Sequence, residues 1–515
     1  MPNTIGPIYA LTPIYAFGEV TSMNETMKQI AISILLLACS LSANVSAAAK
    51  SEHPNVVLIA IDDLNDWVGF LNGHPQVKTP NMDRLAQRGM VFANAHCAAP
   101  LCCPSRAAIF SGKQPFHTGV YGNDDNLLKT HPDMVMLTHR FADQGYRTLG
   151  TGKILHSGGK EIFQTYKGTE QRWSPFANAR AVDYPAKKLS DRATKPNYIA
   201  RIGDREIQLP LNGMPSERNL EKQSGESFDW GPIDVDDDQM GDARITTWAI
   251  EQLQQPSPQP FFLAVGYYRP HIPLFAPTKY FEQYPAESIE LPEVLASDLD
   301  DLSETGRKWA IDPVTAGSHE IVMSHDQWKS AVAAYLACVS FVDAQIGRLL
   351  EELDNGPHAQ NTIIVLFSDH GWHLGEKQHW GKWTGWERST RVPLLVVPSQ
   401  SDRDLYRTGT VCSQPVGLID VYPTLLDLAG LPPASDVDGE SLVASLKDPM
   451  RHTNPEVSTF DKGNYSIGDQ RYRLVHYQDG NEELYDHETD PHEFHNVVDQ
   501  PQFAEIRKTL ASHLP

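Results

Sequence analysis

Two runs in this chain, Asn55-Val56-Val57-Leu58-Ile59-Ala60-Ile61 and Thr362-Ile363-Ile364-Val365-Leu366-Phe367, are apolar at nearly every position and rich in β-branched residues. A strand with one wetted face alternates polar and apolar side chains. A continuous run reads instead as a strand covered on both faces, the habit of parallel sheets flanked by helices. Both runs stop at polar groups, the first at Asp62-Asp63 and the second at Ser368-Asp369-His370. Adjacent carboxylates at a buried strand end repel each other unless a cation lies between them, and that edge of an open α/β sheet is where ligands bind. A lone acid there could equally be a helix N-cap.

Between the two runs lies Cys102-Cys103-Pro104-Ser105-Arg106, followed by Ala107-Ala108-Ile109-Phe110-Ser111-Gly112. Pro104 suits a first helical turn and Gly112 a stop, so Cys102 faces the positive end of a short helix, where an anion would bind. The plainer reading of these residues alone is a buried or disulfide-bonded cysteine pair. The pattern C-x-P-S-R-x-x-x-F-S-G, however, resembles the signature of type I sulfatases, in which the first cysteine is oxidised to Cα-formylglycine before the enzyme works. Only Cys102 fits, because Cys103 lacks Pro at the second position after it and Arg at the fourth. Two strands ending in acids about 300 residues apart and flanking such a cysteine predict a composite metal site from Asp62, Asp63, Asp369 and His370, with Cys102 among the ligands. Oxygen donors favour Ca²⁺ or Mg²⁺ over zinc, with Ca²⁺ the choice for one ion per chain. Imidazole is soft for calcium, but the family has Asn or His at the position of His370.

The resemblance extends along I-D-D-L-N-D-W (61–67), G-K-I-L-H (152–156), Y-R-P-H-I-P (268–273), Y-L-A-C-V-S-F-V-D-A-Q-I-G-R (335–348) and S-D-H-G-W-H-L-G-E (368–376). The order and spacing of these blocks resemble the iduronate-2-sulfatase-like branch of the alkaline phosphatase superfamily. That implies an α/β fold, an alkaline-phosphatase-like layered α/β/α domain with a large mixed sheet, plus a smaller C-terminal subdomain with an antiparallel sheet.

Lys153 and His156 follow the short strand Tyr146–Gly150, Arg269-Pro270-His271 follows the buried run Phe261–Gly266, and Lys382 lies in the Trp-rich segment after Asp369-His370. Each group therefore follows a core strand, where an α/β sheet collects its active-site loops. The resemblance assigns catalytic work to Cys102, Arg106, Lys153, His156, His271 and Lys382. A serine or thiol nucleophile would be left carrying a sulfo group, whereas a hydrated aldehyde has a spare hydroxyl whose deprotonation expels sulfate and re-forms C=O. The metal site would acidify that diol, and Arg106 and Lys153 would neutralise charge around it. In the family the leaving alcohol is protonated from the groups matching His271 and Lys382, with His156 near the second hydroxyl.

The 515 residues, 41% hydrophobic, suffice for more than one core. Residues 48–400 read as the catalytic domain and 401–515 as the C-terminal subdomain. A long helical pattern runs from Gln327 to Asp354, another spans Ile419 to Ala429, and about 157–240 reads as loops over the active-site edge. Residues 1–47 read as a targeting region: Lys28 precedes the apolar run Ile30–Leu37, and Val45-Ser46-Ala47 supplies an A-x-A-like cleavage site. The preceding residues fit no part of a signal peptide, so translation starting at Met23 or Met27 is expected. Leu36-Leu37-Ala38-Cys39 also resembles a lipobox, which would put a lipid anchor on Cys39. Export to the periplasm or medium, or anchoring as a lipoprotein, follows; no transmembrane span does. Six cysteines give no dense disulfide framework, and Cys97, Cys103, Cys338 and Cys412 could pair without needing to.

A net charge of −22 opposes nucleic acid and anionic membranes, and equally sulfated glycans, so a sulfated substrate must be captured by a local basic pocket. Trp372, Trp380, Trp383 and Trp386 lie beside Lys382 and could stack on sugar rings or simply be core. The sequence reads as an exported sulfatase for a sulfated carbohydrate, such as a 2-O-sulfated uronate, matured by a formylglycine-generating enzyme. The rivals are a formylglycine phosphodiesterase or phosphonate hydrolase on the same scaffold, and a catalytically silent glycan-binding relative.

Overall fold

The first apolar run forms strand β1 (Asn55–Ile61), buried at every residue. It sits inside an eight-stranded sheet with β2 (Met90–Phe92), β3 (Arg147–Gly152), β4 (Thr165–Lys167), β5 (Phe261–Tyr267), β6 (Thr362–Ser368), β7 (Leu394–Val397) and β8 (Thr410–Cys412). The order is β8-β2-β7-β6-β1-β5-β3-β4. β6, β1, β5, β3 and β4 are parallel, while β7 runs antiparallel to β6 and to β2. The sheet is therefore mixed. This computed structural model describes residues 53–157, 159–168, 172–176, 198–214, 227–312 and 317–515; the leader expected over 1–47, with Cys39, lies outside them.

The absence of alternation in β1 has a simple cause: both of its faces are covered. Val57, Ile59 and Ile61 join the core of helix α3 (Trp328–Asn355) and helix α2 (Gly241–Leu253), including Cys338, Val342 and Ile245. Val56, Leu58 and Ala60 join the opposite core, with Ile109 and Phe110 of helix α1 (Cys102–Ser111) and Tyr422 and Leu425 of helix α4 (Val421–Leu428). Each such Val, Leu or Ile side chain stabilises the fold by about 1.5–3 kcal/mol. Helix α3 is the one helix among the described residues long and apolar enough to cross a membrane, yet it is core.

A second, antiparallel sheet follows near the C-terminus: β9 (Glu456–Asp461), β10 (Asn464–Gly468), β11 (Tyr472–His476) and β12 (Glu482–Asp486), in that order. One face, with Ile467, Leu474 and Leu484, packs on Leu510 of the last helix; the other, with Phe460, Val475 and Tyr485, packs on Trp386. Strand β8 and helix α4, both beyond residue 400, belong to the large sheet and its covering layer.

The stretch read as loops over 157–240 departs from that expectation. It contains the antiparallel pair Tyr198–Ile202 and Arg205–Leu209, and strand Trp230–Ile233 paired with Leu274–Pro277. Ile202, Leu209, Ile233 and Phe275 share a small apolar cluster. Strands of four or five residues carry too little periodicity to stand out in sequence. Cys97, Cys102, Cys103, Cys338 and Cys412 are all free and buried, so none of the optional pairings forms.

Candidate active site

Register brings the candidate groups together. Ile61 lies opposite Ser368 on one side and Tyr267 on the other, and Gly152 lies opposite Gly266. The ladder continues one bond past each strand end: Asp369 N–H donates to Ile61 O, Asp62 N–H to Tyr267 O, and Lys153 N–H to Gly266 O, at 3.2, 3.2 and 2.9 Å. Asp62, Asp369 and Lys153 thus leave the sheet at one edge. Asp63 turns aside with φ of 62°, a left-handed conformation that aspartate tolerates better than most residues. Tyr335 of α3 holds that turn, donating to Asp63 O and accepting from Asn65 N–H, each at 2.8 Å.

Helix α1 delivers Cys102 to the same edge and ends at Gly112, whose φ of 68° lets its N–H cap Ala108 O at 2.8 Å. The Cys102 sulfur is met by Lys382 Nζ at 2.9 Å, His370 Nε2 at 3.3 Å and Lys153 Nζ at 3.4 Å. His156 and His271 are also within hydrogen-bonding reach of it. Burial pushes the thiol upward, but Lys153, Lys382 and His370 outweigh it and hold its pKa well below the usual value. A thiolate, the oxidisable form, is therefore favoured.

Around this sulfur, three buried carboxylates interlock with three buried cations. Arg106 donates through Nε to Asp369 Oδ2 at 2.7 Å and through a terminal nitrogen to Asp62 Oδ1 at 3.1 Å. Lys153 pairs with Asp62 Oδ2, and Lys382 with Asp63 Oδ1 at 2.6 Å. Burial raises Asp62, yet Lys153 prevails and holds it below its ordinary range. Burial, with Asp62 alongside, pushes Asp63 up to about 7 against the pull of Lys382. The two acids answer differently because Asp62 lies against both Lys153 and Arg106, whereas Asp63 has Lys382 against the repulsion of Asp62. Asp63 Oδ2 is also shielded from solvent and has no hydrogen-bond partner among the described residues. An orphaned carboxylate oxygen beside two further acids is what a hard cation would satisfy.

His370 and His271 both turn one ring nitrogen to the backbone, Nδ1 lying 3.0 Å from Gly371 O and 2.6 Å from Ile272 O respectively. In the neutral ring this leaves Nε2 as the acceptor facing the site. His370 Nε2 lies 3.4 Å from Asp63 Oδ1, and His271 Nε2 lies 3.8 Å from Asp63 Oδ2. Burial lowers His370, but Asp369 outweighs it and raises the ring to about 9. Burial, then repulsion from Lys153 and Lys382, drops His271 to about 3. Two combinations bring four ligand atoms within 4.8 Å: Asp62, Asp63, Cys102 and His271, and Asp62, Cys102, Asp369 and His370. His271, placed by sequence only among the proton-transfer groups, thus also stands within ligating distance of the acids.

All ten sequence candidates meet at this edge, His156 at an exposed position. A cleft of about 460 Å³ leads in from solvent, lined by His156, His271, Lys382, Arg172, Asn123 and Trp383 among others. Arg172 and Asn123 carry no sequence signal, since neither sits in a periodic segment. Asp242 is a further missed residue. Its carboxylate accepts from Tyr268 N–H and Arg269 N–H, each at 2.9 Å, and so fixes the loop that presents His271. Of the four tryptophans, Trp372, Trp380 and Trp386 are buried, Trp386 donating to Glu483 at 2.8 Å; only Trp383 is half-exposed.

A buried cysteine ringed by cations, with three carboxylates beside it at the carboxyl edge of a layered α/β sheet, suits the handling of an anionic ester. The sulfatase family model matches residues 54–431, and that for the C-terminal part of N-sulphoglucosamine sulphohydrolase matches residues 375–515. A sulfatase of Formosa agariphila is 34% identical over 95% of this chain and 92% of its own. Human iduronate 2-sulfatase is 29% identical over 76% of this chain and 72% of its own. Among solved structures, the phosphonate monoester hydrolase of Silicibacter pomeroyi superposes with a TM-score of 0.70 at 22% identity, over 89% and 94% of the two chains. The chain belongs to the sulfatase family and has its alkaline-phosphatase-like fold. It is a sulfatase, a sulfuric ester hydrolase.

Proposed function

We propose that this sulfatase removes O-sulfate from a carbohydrate, with position 102 acting as Cα-formylglycine and one Ca²⁺ held by Asp62, Asp63, Asp369 and His370. The observation that carries this reading is the Cys102 sulfur, within 3.4 Å of Lys153, His370 and Lys382 and beside Asp63, whose Oδ2 lacks a hydrogen-bond partner among the described residues. As a hydrated aldehyde, position 102 supplies a nucleophilic hydroxyl and a second one whose deprotonation expels sulfate. The cation supplies positive charge against the sulfate. The charge arithmetic supports it: Asp62, Asp63 and Asp369 already balance Arg106, Lys153 and Lys382, so a dication leaves the site positive and receptive to an anionic ester.

Within that frame Arg106 holds Asp62 and Asp369 in place, and Lys153 and Lys382 flank the reacting oxygens. Lys382, whose pKa burial lowers but Asp63 more than restores, keeps a proton facing the leaving group. His271 is neutral beside two ammonium groups; an anionic ester between them replaces part of that repulsion with attraction and favours the imidazolium. An aryl sulfate leaves as a stabilised anion, whereas a sugar alkoxide needs a proton. His271→Ala is therefore expected to lower kcat/KM for a sulfated sugar by roughly 10²–10⁴ while affecting an activated aryl sulfate far less. Equal losses on both would assign His271 to binding the sulfate.

Sulfate release measured across defined sulfated oligosaccharides, including 2-O-sulfated uronates, tests the function, with phosphodiesters and phosphonates run alongside. Faster turnover of phosphorus esters would favour the phosphonate hydrolase reading, which the Silicibacter pomeroyi likeness keeps in view. No turnover of any ester by matured protein would favour a silent glycan binder. For the metal, elemental analysis of protein purified without chelator is expected to find about one calcium per chain, and a chelator to abolish activity. Zinc in calcium's place would contradict the oxygen-donor argument. Export, maturation by a formylglycine-generating enzyme, and a division into a catalytic domain and a C-terminal subdomain, read from sequence as 48–400 and 401–515, belong to the same proposal, with β8 and α4 beyond residue 400 packed in the layers of the large sheet.

A further inference from the structure

Trp383 lines the cleft and also a second cavity of about 590 Å³. Its backbone has φ of 74°, a left-handed conformation that a bulky aromatic residue adopts only under constraint, and its N–H donates to Pro100 O at 2.8 Å. Across the second cavity stands Trp309, 6.2 Å from the Trp383 ring at 64° and 5.2 Å from Phe460 at 84°. Both indoles are half-exposed yet held by edge contacts, so they offer apolar surface at little further entropy cost. Around them lie amides and carboxylates, Asn464, Gln478, Asp461 and Asp479. Asp479 is fixed in orientation, accepting from Thr305 Oγ1 and from Asn481 N–H at 3.0 Å. Rigid indoles beside hydroxyl acceptors and donors are the makings of a sugar site.

The two cavities differ in charge. The cleft presents Lys382 and Arg172 against the single acid Asp124, whereas the second cavity presents Asp312, Asp461 and Asp479 against the single cation Lys308. We propose that the second cavity binds a neutral sugar linked to the sulfated one, so that the substrate is an oligosaccharide in which a sulfated unit neighbours an uncharged unit. The proposal rests on the carbohydrate reading above. A uronate or second sulfate there would face a majority of like charges at short range, while neutral hydroxyls would find charge-assisted acceptors.

The test compares three substrates: a sulfated monosaccharide, the same unit extended by one neutral hexose, and the same unit extended by one uronate. Neutral extension is expected to raise kcat/KM by roughly tenfold or more, the scale of one stacked ring and one hydrogen bond. Uronate extension is expected to give no gain. Trp309→Ala should erase the neutral gain, and Gln478→Ala, at an exposed side chain, should reduce it even if the tryptophan variant folds poorly. Equal kcat/KM with and without the neutral hexose, or a larger gain from the uronate, overturns the proposal while leaving the carbohydrate reading intact. Titration with unsulfated neutral oligosaccharides, followed by tryptophan fluorescence, separates the two claims. Saturable binding lost in Trp309→Ala supports the neutral-sugar site even if no sulfated sugar is hydrolysed, an outcome that would sink the carbohydrate reading and with it the sulfated oligosaccharide as substrate, but not the site.

Discussion

Cys102→Ala is expected to abolish sulfate release, by roughly 10⁴–10⁶ in kcat, while leaving the protein folded. The two halves of that expectation have different causes. Alanine cannot be converted into an aldehyde, so the nucleophile is gone and only charge stabilisation by Arg106, Lys153 and Lys382 is left. The fold survives because the buried cations do not depend on the sulfur. Lys382 keeps Asp63 at 2.6 Å and Lys153 keeps Asp62, so no charge is stranded. Steady-state sulfate release and a thermal melt read the two halves. Activity within tenfold of wild type would remove position 102 from the chemistry.

Arg106→Ala should do what Cys102→Ala does not and damage stability as well as turnover. The guanidinium is 1% exposed and bridges Asp62 and Asp369, both wholly buried. It also donates to the carbonyls of Lys153 and Ile154, tying α1 to the loop after β3. Its removal leaves Asp369 with the backbone N–H groups of Asp63 and His370, at 3.2 and 3.1 Å, and the His370 ring at 3.6 Å, with no guanidinium to balance it. Breaking a buried ion pair by deleting one partner costs about 3–5 kcal/mol, because the remaining charge stays out of water. Arg106→Lys should recover little, since one ammonium cannot span two carboxylates and two carbonyls. A lower unfolding temperature together with lost turnover is the expected pair; an Arg106→Ala protein that melts like wild type would contradict the buried network.

The strands that set the site could be read from sequence because a two-faced strand has no polar residue until it ends. Ile61 and Phe367 therefore announce the positions of Asp62-Asp63 and Asp369-His370. Helix α1 could be read from its ends, Pro104 in the first turn and Gly112 at the stop. What could not be read depends on contacts distant in sequence. Tyr335 reaches Asp63 from 272 residues away and has the composition of an ordinary core tyrosine. Arg172 enters the cleft from a stretch without periodicity, and Asp242 acts through backbone N–H groups of Tyr268 and Arg269, which have no sequence signature. The tryptophans after Asp369 illustrate the limit from the other side. Composition groups four of them, yet Trp386 and Trp380 anchor core contacts, Trp372 lines the cleft from a buried position, and of the four only Trp383, on a strained backbone, meets both cavities.

The proposed chemistry depends on what stands at position 102 in the working enzyme. Three cationic or protonatable groups within 3.4 Å of the sulfur suit a thiolate before oxidation and an anionic ester afterwards. The direct measurement is mass spectrometry of the peptide carrying Cys102, from protein made with a formylglycine-generating system, set against specific activity on a sulfated sugar. The aldehyde is expected to be present, with activity rising in proportion to the fraction converted. Full activity in protein whose Cys102 remains an unmodified thiol would contradict that chemistry.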